Sequence, residues 1–390
     1  MHTNEYRTTH TQTRKTVQDD TRSCVGILWG VRFLFFSCVG AVFFLPLLTL
    51  AAEDTSGTVF IHATVRSVSS VSESLVPGTD VKTFTQIIQA TTDDGEYITI
   101  ENDRVLLEEG DTFFASYIGT PDGGRIYAVH EPDRRSVLIL AGALFAVVTV
   151  VIGGVIGLRS LVAVVLSGAV IFIFLLPQLA HGAPPLLTSV IAATGILALA
   201  MGVTHGLSKQ TAAAFVASIG TITFAVFLGD FFVQAARLSG FVDDTTAILN
   251  LTTGGSLNLQ GLFLASVIIG TLGVIDDLAM TQVSFVTELA DANQTLSWKD
   301  LYRRAMNVGK EHLGAVTNTL VFAYAGVSMP LLLLFVLSPT SPLILINSEI
   351  IAAELVRTAI GGTALALVIP IATLLGIAAL KWPQRIGISR

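Results

Sequence analysis

Long apolar runs alternate with short polar connectors along this chain, and one polar stretch of some 80 residues interrupts them. The first run covers about 24–50. Seven more fall at Ser136–Gly157, Ser160–Ala180, Pro185–His205, Thr211–Ala236, Leu259–Gln282, Leu313–Leu337 and Ile351–Leu380. Each is near or above the ~20 residues that cross a hydrocarbon layer as a helix. The connectors HGAPP (His181–Pro185) and HGLSKQ (His205–Gln210) are short and rich in Gly and Pro, so they predict antiparallel helix pairs. The pattern divides the chain into a tail (1–23), a membrane anchor or uncleaved signal (24–52), a polar domain (53–135), a seven-helix bundle (136–380) and a second tail (381–390). Ala51 and Ala52 could mark a cleavage site, but the first run is long enough to span and stay.

The polar domain has the alternation of strands. GTVFIHATVRSV, TFTQIIQAT, EYITIEN, DTFFASYIG and GRIYAVH are rich in Val, Ile, Thr, Tyr and Phe, and the turn sequences PGTD, DDGE, EEGD and PDGG separate them. Five short strands predict a small all-β barrel of the OB-like type. No aromatic cluster or basic groove marks it for oligonucleotides, so a structural or partner-docking module is the plainer expectation.

Composition agrees with the pattern. Hydrophobic residues make up 52% of the chain and charged residues 13%, against about 25% charged in a soluble domain. The mean hydropathy is +0.71. The net charge of −7 collects largely after residue 52 and leaves no nucleic-acid footprint. Cys24 and Cys38 both lie in the first apolar run, so neither a disulfide framework nor a zinc site is supported. With the N-terminus cytoplasmic, the inner segments hold Arg159, Lys209, Lys299, Arg303, Arg304, Lys310, Lys381, Arg385 and Arg390, while the short outer loops hold Arg237. Eight spans with both termini inside satisfy the positive-inside rule.

The candidate chemistry lies where charge meets the apolar runs. Asp276 and Asp277 end the run from Gly261 to Ile275, and Asp277, Thr281, Ser284 and Glu288 follow at i, i+4, i+7 and i+11, on one helix face. A carboxylate in hydrocarbon costs roughly 2.5–3.5 kcal/mol, so it faces a partner, a cavity or the interface. A permeation or coupling site, a structural salt bridge and a solvated helix end all remain open for Asp277. Glu288 falls beyond the hydrocarbon. Downstream, Ser297 and Asp300 form a helix start, and an amphipathic interfacial helix from Trp298 to about Asn307 turns Leu301, Tyr302, Ala305 and Met306 to the membrane or core. The next span opens on Lys310, Glu311 and His312, with Glu311, Ala315, Asn318 and Phe322 on one face and Tyr324 nearby. A hairpin between these spans predicts Lys310 or Asn318 as the partner of Asp277. Glu354 and Arg357, at i and i+3, are expected to pair locally. His205, beside a loop, reads as solvated.

These residues carry a resemblance. HEPDRRSVL, GLRSLVAVVLSG, FLLPQLAHGAPP, and above all NLQGLFLASVIIGTLGVIDDLAMTQVSFVTEL followed by LYRRAMNVGKEHLGAVTNTLVFAYAG, resemble the YibE/F-like family of multi-spanning bacterial membrane proteins. Gly309, Lys310, Glu311, Gly314, Asn318, Thr319, Leu320, Ala323 and Tyr324 fill that family's G-basic-acidic…G…NTL…AY string. The resemblance implies an architecture and a bacterial cytoplasmic (inner) membrane, and only weakly a permease role.

The sequence therefore predicts an α-helical polytopic membrane protein with a small extracytoplasmic β-domain between helices 1 and 2. Its expected function is that of a permease or secondary transporter using an intramembrane carboxylate. The network would comprise Asp277, Asp276, Lys310, Glu311, Asn318, Glu288, Ser284 and Tyr324. The alternative is a non-transporting scaffold or receptor whose β-domain binds an extracytoplasmic protein partner. The expected partners are the lipid bilayer and a solute or cation, with no nucleic acid. No cofactor, metal site or enzymatic activity is expected: HExxH, GxSxG and the GxxxxGK[ST] phosphate loop are all missing from the chain.

Overall fold

The computed structural model describes residues 59–75, 78–120 and 124–381. The expected anchor at 24–52, both cysteines, and the tails at 1–23 and beyond Lys381 lie outside the described residues. The described chain separates at Gly154/Val155 into two compact units.

The first unit carries five strands: β1 (Val59–Leu75), β2 (Lys82–Thr92), β3 (Tyr97–Asn102), β4 (Thr112–Gly119) and β5 (Arg125–Pro132). They form one antiparallel sheet in the order β3-β2-β1-β4-β5. Alternation works as expected: Ile98 and Ile100 of β3 point inward, and their neighbours face out. Ala63, Val65, Ile88, Ala90, Phe113 and Ala115 complete the core. The two edge strands approach one another. Glu96, just before β3, accepts from Arg125 at 3.0 Å and from Tyr127 at 3.2 Å, both on β5. β1 runs seven residues past the expected end at Val68, because Ser70–Leu75 pair with Lys82–Ile87. The added β1 arm, Ser70–Leu75, is exposed.

The helices begin with α1 (Arg135–Ala169), continued by a π-helical turn at Val170–Leu175 and by α2 (Leu176–Ala180). Two expected spans, 136–157 and 160–180, therefore share one 46-residue helical run. The break is not at the expected connector near Arg159 but at Gly154, whose φ of 56° and ψ of −135° leave the helix. Gly tolerates positive φ, which side chains with a Cβ resist.

The second unit continues with α3 (Pro185–Thr204), α4 (Lys209–Ala235), α5 (Asp244–Thr252), α6 (Leu259–Ala292), α7 (Trp298–Val327), α8 (Met329–Leu337), α9 (Pro342–Ile346) and α10 (Glu349–Lys381). The expected interfacial helix is not separate: it is the first part of α7. Its capping is as predicted, with the Asp300 amide donating to Ser297 Oγ at 3.2 Å, and Leu301 and Ala305 are buried. The seventh expected span is bent by 65° where α7 meets α8 at Ser328. Among the described residues, five helical stretches are long and apolar enough to cross a membrane, or six with that bent pair.

Helix α6 is central and packs against α3, α4, α7 and α10. Small residues let the axes approach. Gly229 of α4 faces Leu264 and Ile360, and Gly376 of α10 faces Val283 and Val286. Hydroxyls inside the helices mostly bond their own backbone: Thr188, Ser189, Thr194, Thr221, Thr271, Thr287, Thr358 and Thr373 each donate to the carbonyl four residues back. At one end of the bundle, Glu349 accepts from the amides of Ser239 (2.6 Å) and Gly240 (2.7 Å) and from Ser239 Oγ (2.8 Å). Gly240 has φ +90° and lies against the backbone of Leu259, where a Cβ would meet the Leu259 carbonyl carbon at 2.4 Å. Only glycine fits that contact.

Candidate functional site

Asn258 caps α6 by accepting from the Gly261 amide at 2.9 Å. The helix then runs 34 residues, or about 51 Å at 1.5 Å per residue. That exceeds the ~30 Å of a hydrocarbon core. Its neighbours bury most of its surface and leave one strip open: Ser266, Gly270, Gly273, Asp277, Ser284 and Glu288. The strip is entirely small or polar. The expected face is real, and Thr281 Oγ1 lies 3.5 Å from Asp277 Oδ1 within it.

Asp276 turns away, as its position predicts. It is half-buried, and its Oδ1 is enclosed without a hydrogen-bond partner among the described residues. The two carboxylates thus occupy unlike settings, one open and one enclosed, at a single turn of α6.

The expected partner of Asp277 is corrected. Lys310, Glu311 and Asn318 all take exposed positions on α7, and among the described residues no ion pair or hydrogen bond joins them to Asp277. The reason is the rotation of α7. It meets α6 through Gly309, whose added Cβ would lie 2.8 Å from Gln282 Oε1. At about 100° per residue, Lys310 sits a quarter turn away from that contact and Asn318 half a turn away. Glu288 and Ser284 are likewise exposed.

A titratable neighbour of Asp277 from another helix is His205, whose amide donates to the Met201 carbonyl at the C-terminal end of α3. Burial pushes this imidazole below its ordinary value, and the negative charge of Asp277 pulls the other way. His205 is exposed, as the solvated-loop reading expects, and it lies within electrostatic range of the Asp277 carboxylate. The geometry follows from α3 and α6 running parallel, with Pro185 by Gly261 at their N-terminal ends and the α3 C-terminus a helix length further along α6.

One polar residue that joins three helices escaped the sequence reading. Gln282 is 3% exposed and donates to the Ala305 carbonyl of α7 at 3.0 Å and to Thr373 Oγ1 of α10 at 2.8 Å. Its signal was present in the residues: an amide one position beside Thr281 of the polar face, within an apolar run. A buried amide demands partners on neighbouring helices.

A second polar group lies further along the same helices. Glu354 and Arg357 pair at 3.0 Å, as expected from their spacing. The Arg357 guanidinium stands over the Phe263 ring at 5.4 Å. Tyr324, half-buried, lies within electrostatic range of both.

The β-domain has its own charged junction. His62 places Nδ1 2.9 Å from Asp93 and Nε2 3.2 Å from Asp133, and Arg135 grips Asp133 at 2.6 Å. Hydrogen bonds from the Arg135 side chain and backbone hold the Asp133 carboxyl well below the usual carboxylate range. Among the described residues, no three His, Cys, Asp or Glu side chains gather as metal ligands.

Long apolar helices packed around α6, with a small antiparallel sheet on the N-terminal side, define a helical membrane protein. A family model described as YibE/F-like protein matches residues 141–382. The chain belongs to the YibE/F-like family. No curated protein and no solved structure matches it.

Proposed function

We propose that the chain is a permease or secondary transporter of the bacterial cytoplasmic membrane, with Asp277 as the carboxylate that takes up a proton or cation. In this reading eight helices span, both termini are cytoplasmic, and residues 53–135 form an OB-like extracytoplasmic barrel. The observation that supports it is the open strip on α6, which lines one side of a membrane-length helix with Ser266, Gly270, Gly273, Asp277, Ser284 and Glu288. Such a surface is costly against lipid and suited to a water-filled or solute-lined path. Neutralising Asp277 beside enclosed Asp276 removes a carboxylate repulsion and changes the preferred packing of this turn. The chain's own residues bind and move a proton or cation here, and no enzymatic step belongs to this reading.

Proteoliposomes under a pH jump test it. The wild-type protein carries a proton flux, and Asp277→Asn abolishes it. Unchanged flux in Asp277→Asn removes the carboxylate role.

One observation favours a scaffold or receptor as the second reading. The β1–β2 hairpin extends beyond the sheet core with Val71, Leu75 and Val81 exposed, which suits docking of an extracytoplasmic protein. Deleting residues 53–135 separates the two readings: flux that survives while a cellular phenotype is lost supports the scaffold.

A further inference from the structure

Three helices bring two donors with unused capacity to one level of the bundle. Gly361 of α10 packs on Thr271 of α6 and Leu320 of α7, where an added Cβ would lie 2.8 Å and 3.4 Å from their side chains. Helices α7 and α10 run antiparallel, since Ala305 and Thr373 meet at Gln282 while Leu320 and Gly361 meet at Thr271. One turn back along α10 from Gly361 is Arg357, and one turn forward along α7 from Leu320 is Tyr324. Both steps go the same way, so the two side chains share a level. Tyr324 Oη also lies over α6, 3.2 Å from where a Cβ on Gly270 would stand.

The donors at this level are only partly used. One edge of the Arg357 guanidinium is taken, with Nη1 on Glu354 Oε1 at 3.0 Å. Arg357 Nε and Tyr324 Oη are both enclosed, and among the described residues neither has a hydrogen-bond partner. A guanidinium can only donate, and a phenol that donates needs an acceptor. Leaving such a buried group unmet destabilises the fold. Phe263 covers the guanidinium, its ring centroid 5.4 Å from Cζ, and Nε is shut off from solvent. Gly270 keeps the α6 side of the phenol thin.

We infer that Arg357 and Tyr324 form a binding site for an anionic oxygen, as on a carboxylate or a phosphate. Nε–H and Oη–H both donate to that oxygen, and the anionic acceptor makes both hydrogen bonds charge-assisted. Glu354 holds the other edge of the guanidinium and fixes its plane. It also offsets the arginine charge, which suits a single acceptor oxygen better than a multiply charged group. The site goes beyond the Asp277 reading and does not depend on it: its donors come from α7 and α10, and Tyr324 Oη reaches α6 at Gly270, about two turns from Asp277.

The test uses the full chain in phosphatidylcholine nanodiscs, unfolded thermally in sodium acetate or sodium phosphate against sodium chloride at equal ionic strength. A ligand that binds the native state raises its stability in a saturable way. The expected result is a saturable rise in Tm for wild type, at least threefold smaller in Tyr324→Phe and lost in Arg357→Lys. The lysine keeps a positive charge beside Glu354 but lacks the Nε–H. A second arm replaces phosphatidylcholine by phosphatidylglycerol without added anion. A stabilisation there that both variants abolish assigns the oxygen to a lipid phosphate, and one seen only with acetate or phosphate assigns it to a soluble anion. No saturable effect in either arm, or equal effects in wild type and both variants, overturns the site. Proton flux is read on the same proteins: binding without flux retains the site and removes the permease, and flux without binding does the reverse.

Discussion

Gln282 and Thr373 meet across α6 and α10, with the amide donating to the hydroxyl at 2.8 Å and both side chains buried. Thr373 in turn donates to the Ile369 carbonyl at 2.7 Å, so the amide reads into the backbone of α10. The same amide donates to the Ala305 carbonyl, which ties α7 into the junction. Gln282→Leu keeps the volume and removes both bonds. A loss of about 1–2 kcal/mol is expected, measured by unfolding in detergent, with Asn at this position failing to restore it because its amide is one carbon shorter.

Gly309 sets how near α7 can come. A Cβ there would lie 2.6 Å from Ile369 Cγ2 and 2.8 Å from Gln282 Oε1. Gly309→Ala should therefore cost about 1–3 kcal/mol. Gly314, one turn and a little further on, has nothing within 4 Å of its added Cβ. Gly314→Ala should instead gain up to about 1 kcal/mol of helix propensity. Equal effects of the two substitutions in one unfolding assay would contradict the placement of α7.

His205 reports on Asp277. Its folded pKa lies below the ordinary value because burial disfavours the imidazolium, while the Asp277 charge opposes that shift. A depressed folded pKa means that this histidine favours the native state above its unfolded pKa, and the contribution is lost as pH falls through the folded value. Asp277→Asn removes the opposing charge, so the titration of His205, followed by NMR on histidine-labelled protein, should move to still lower pH. A titration that stays in place or rises would detach His205 from Asp277.

Asp133 gives the β-domain an acid limit. Arg135 holds its carboxyl well below the usual range, so its contribution to stability is full above about pH 3.9, the ordinary aspartate value. It falls away as pH drops below that towards the depressed folded value. Arg135→Gln should raise the pH at which the junction of β5 and α1 loses hydrogen-exchange protection. His62 adds a second dependence on the same carboxylate, because its two ring nitrogens both face carboxylates and a neutral imidazole has one N–H to donate.

Much of this architecture is readable in the residues. Ile98 and Ile100 alternate with exposed neighbours, Ser297 and Asp300 announce the start of α7, and the spacing of Asp277, Thr281, Ser284 and Glu288 places them on one face. Periodicity governs each of these, and periodicity is local. The partner of Asp277 was not legible, because it depends on the rotation of α7 about its own axis. That rotation is set by Gly309 against Ile369 and Gln282, contacts made by residues distant in the chain. The join at Gly157–Ser160 misled for a related reason. Arg159 looks like a loop residue, yet the helix runs through it, and the backbone leaves helical geometry at Gly154 instead. Glycine marks both a tolerated helix position and a break, and sequence alone does not separate the two.

The hydroxyls that bond their own helices have a mechanical consequence. A threonine whose proton is committed four residues back offers its neighbour helix a methyl group rather than a directional grip. The longer-range hydrogen bonds of the bundle described above then gather at two levels: Glu349 with Ser239 and Gly240 of the loop after α4, and Gln282 with Ala305 and Thr373. Between them α4, α6 and α10 touch through glycines and aliphatic groups, which can slide by a fraction of a turn without breaking a polar bond. The bundle is built like a bearing, pinned at two levels and smooth between them.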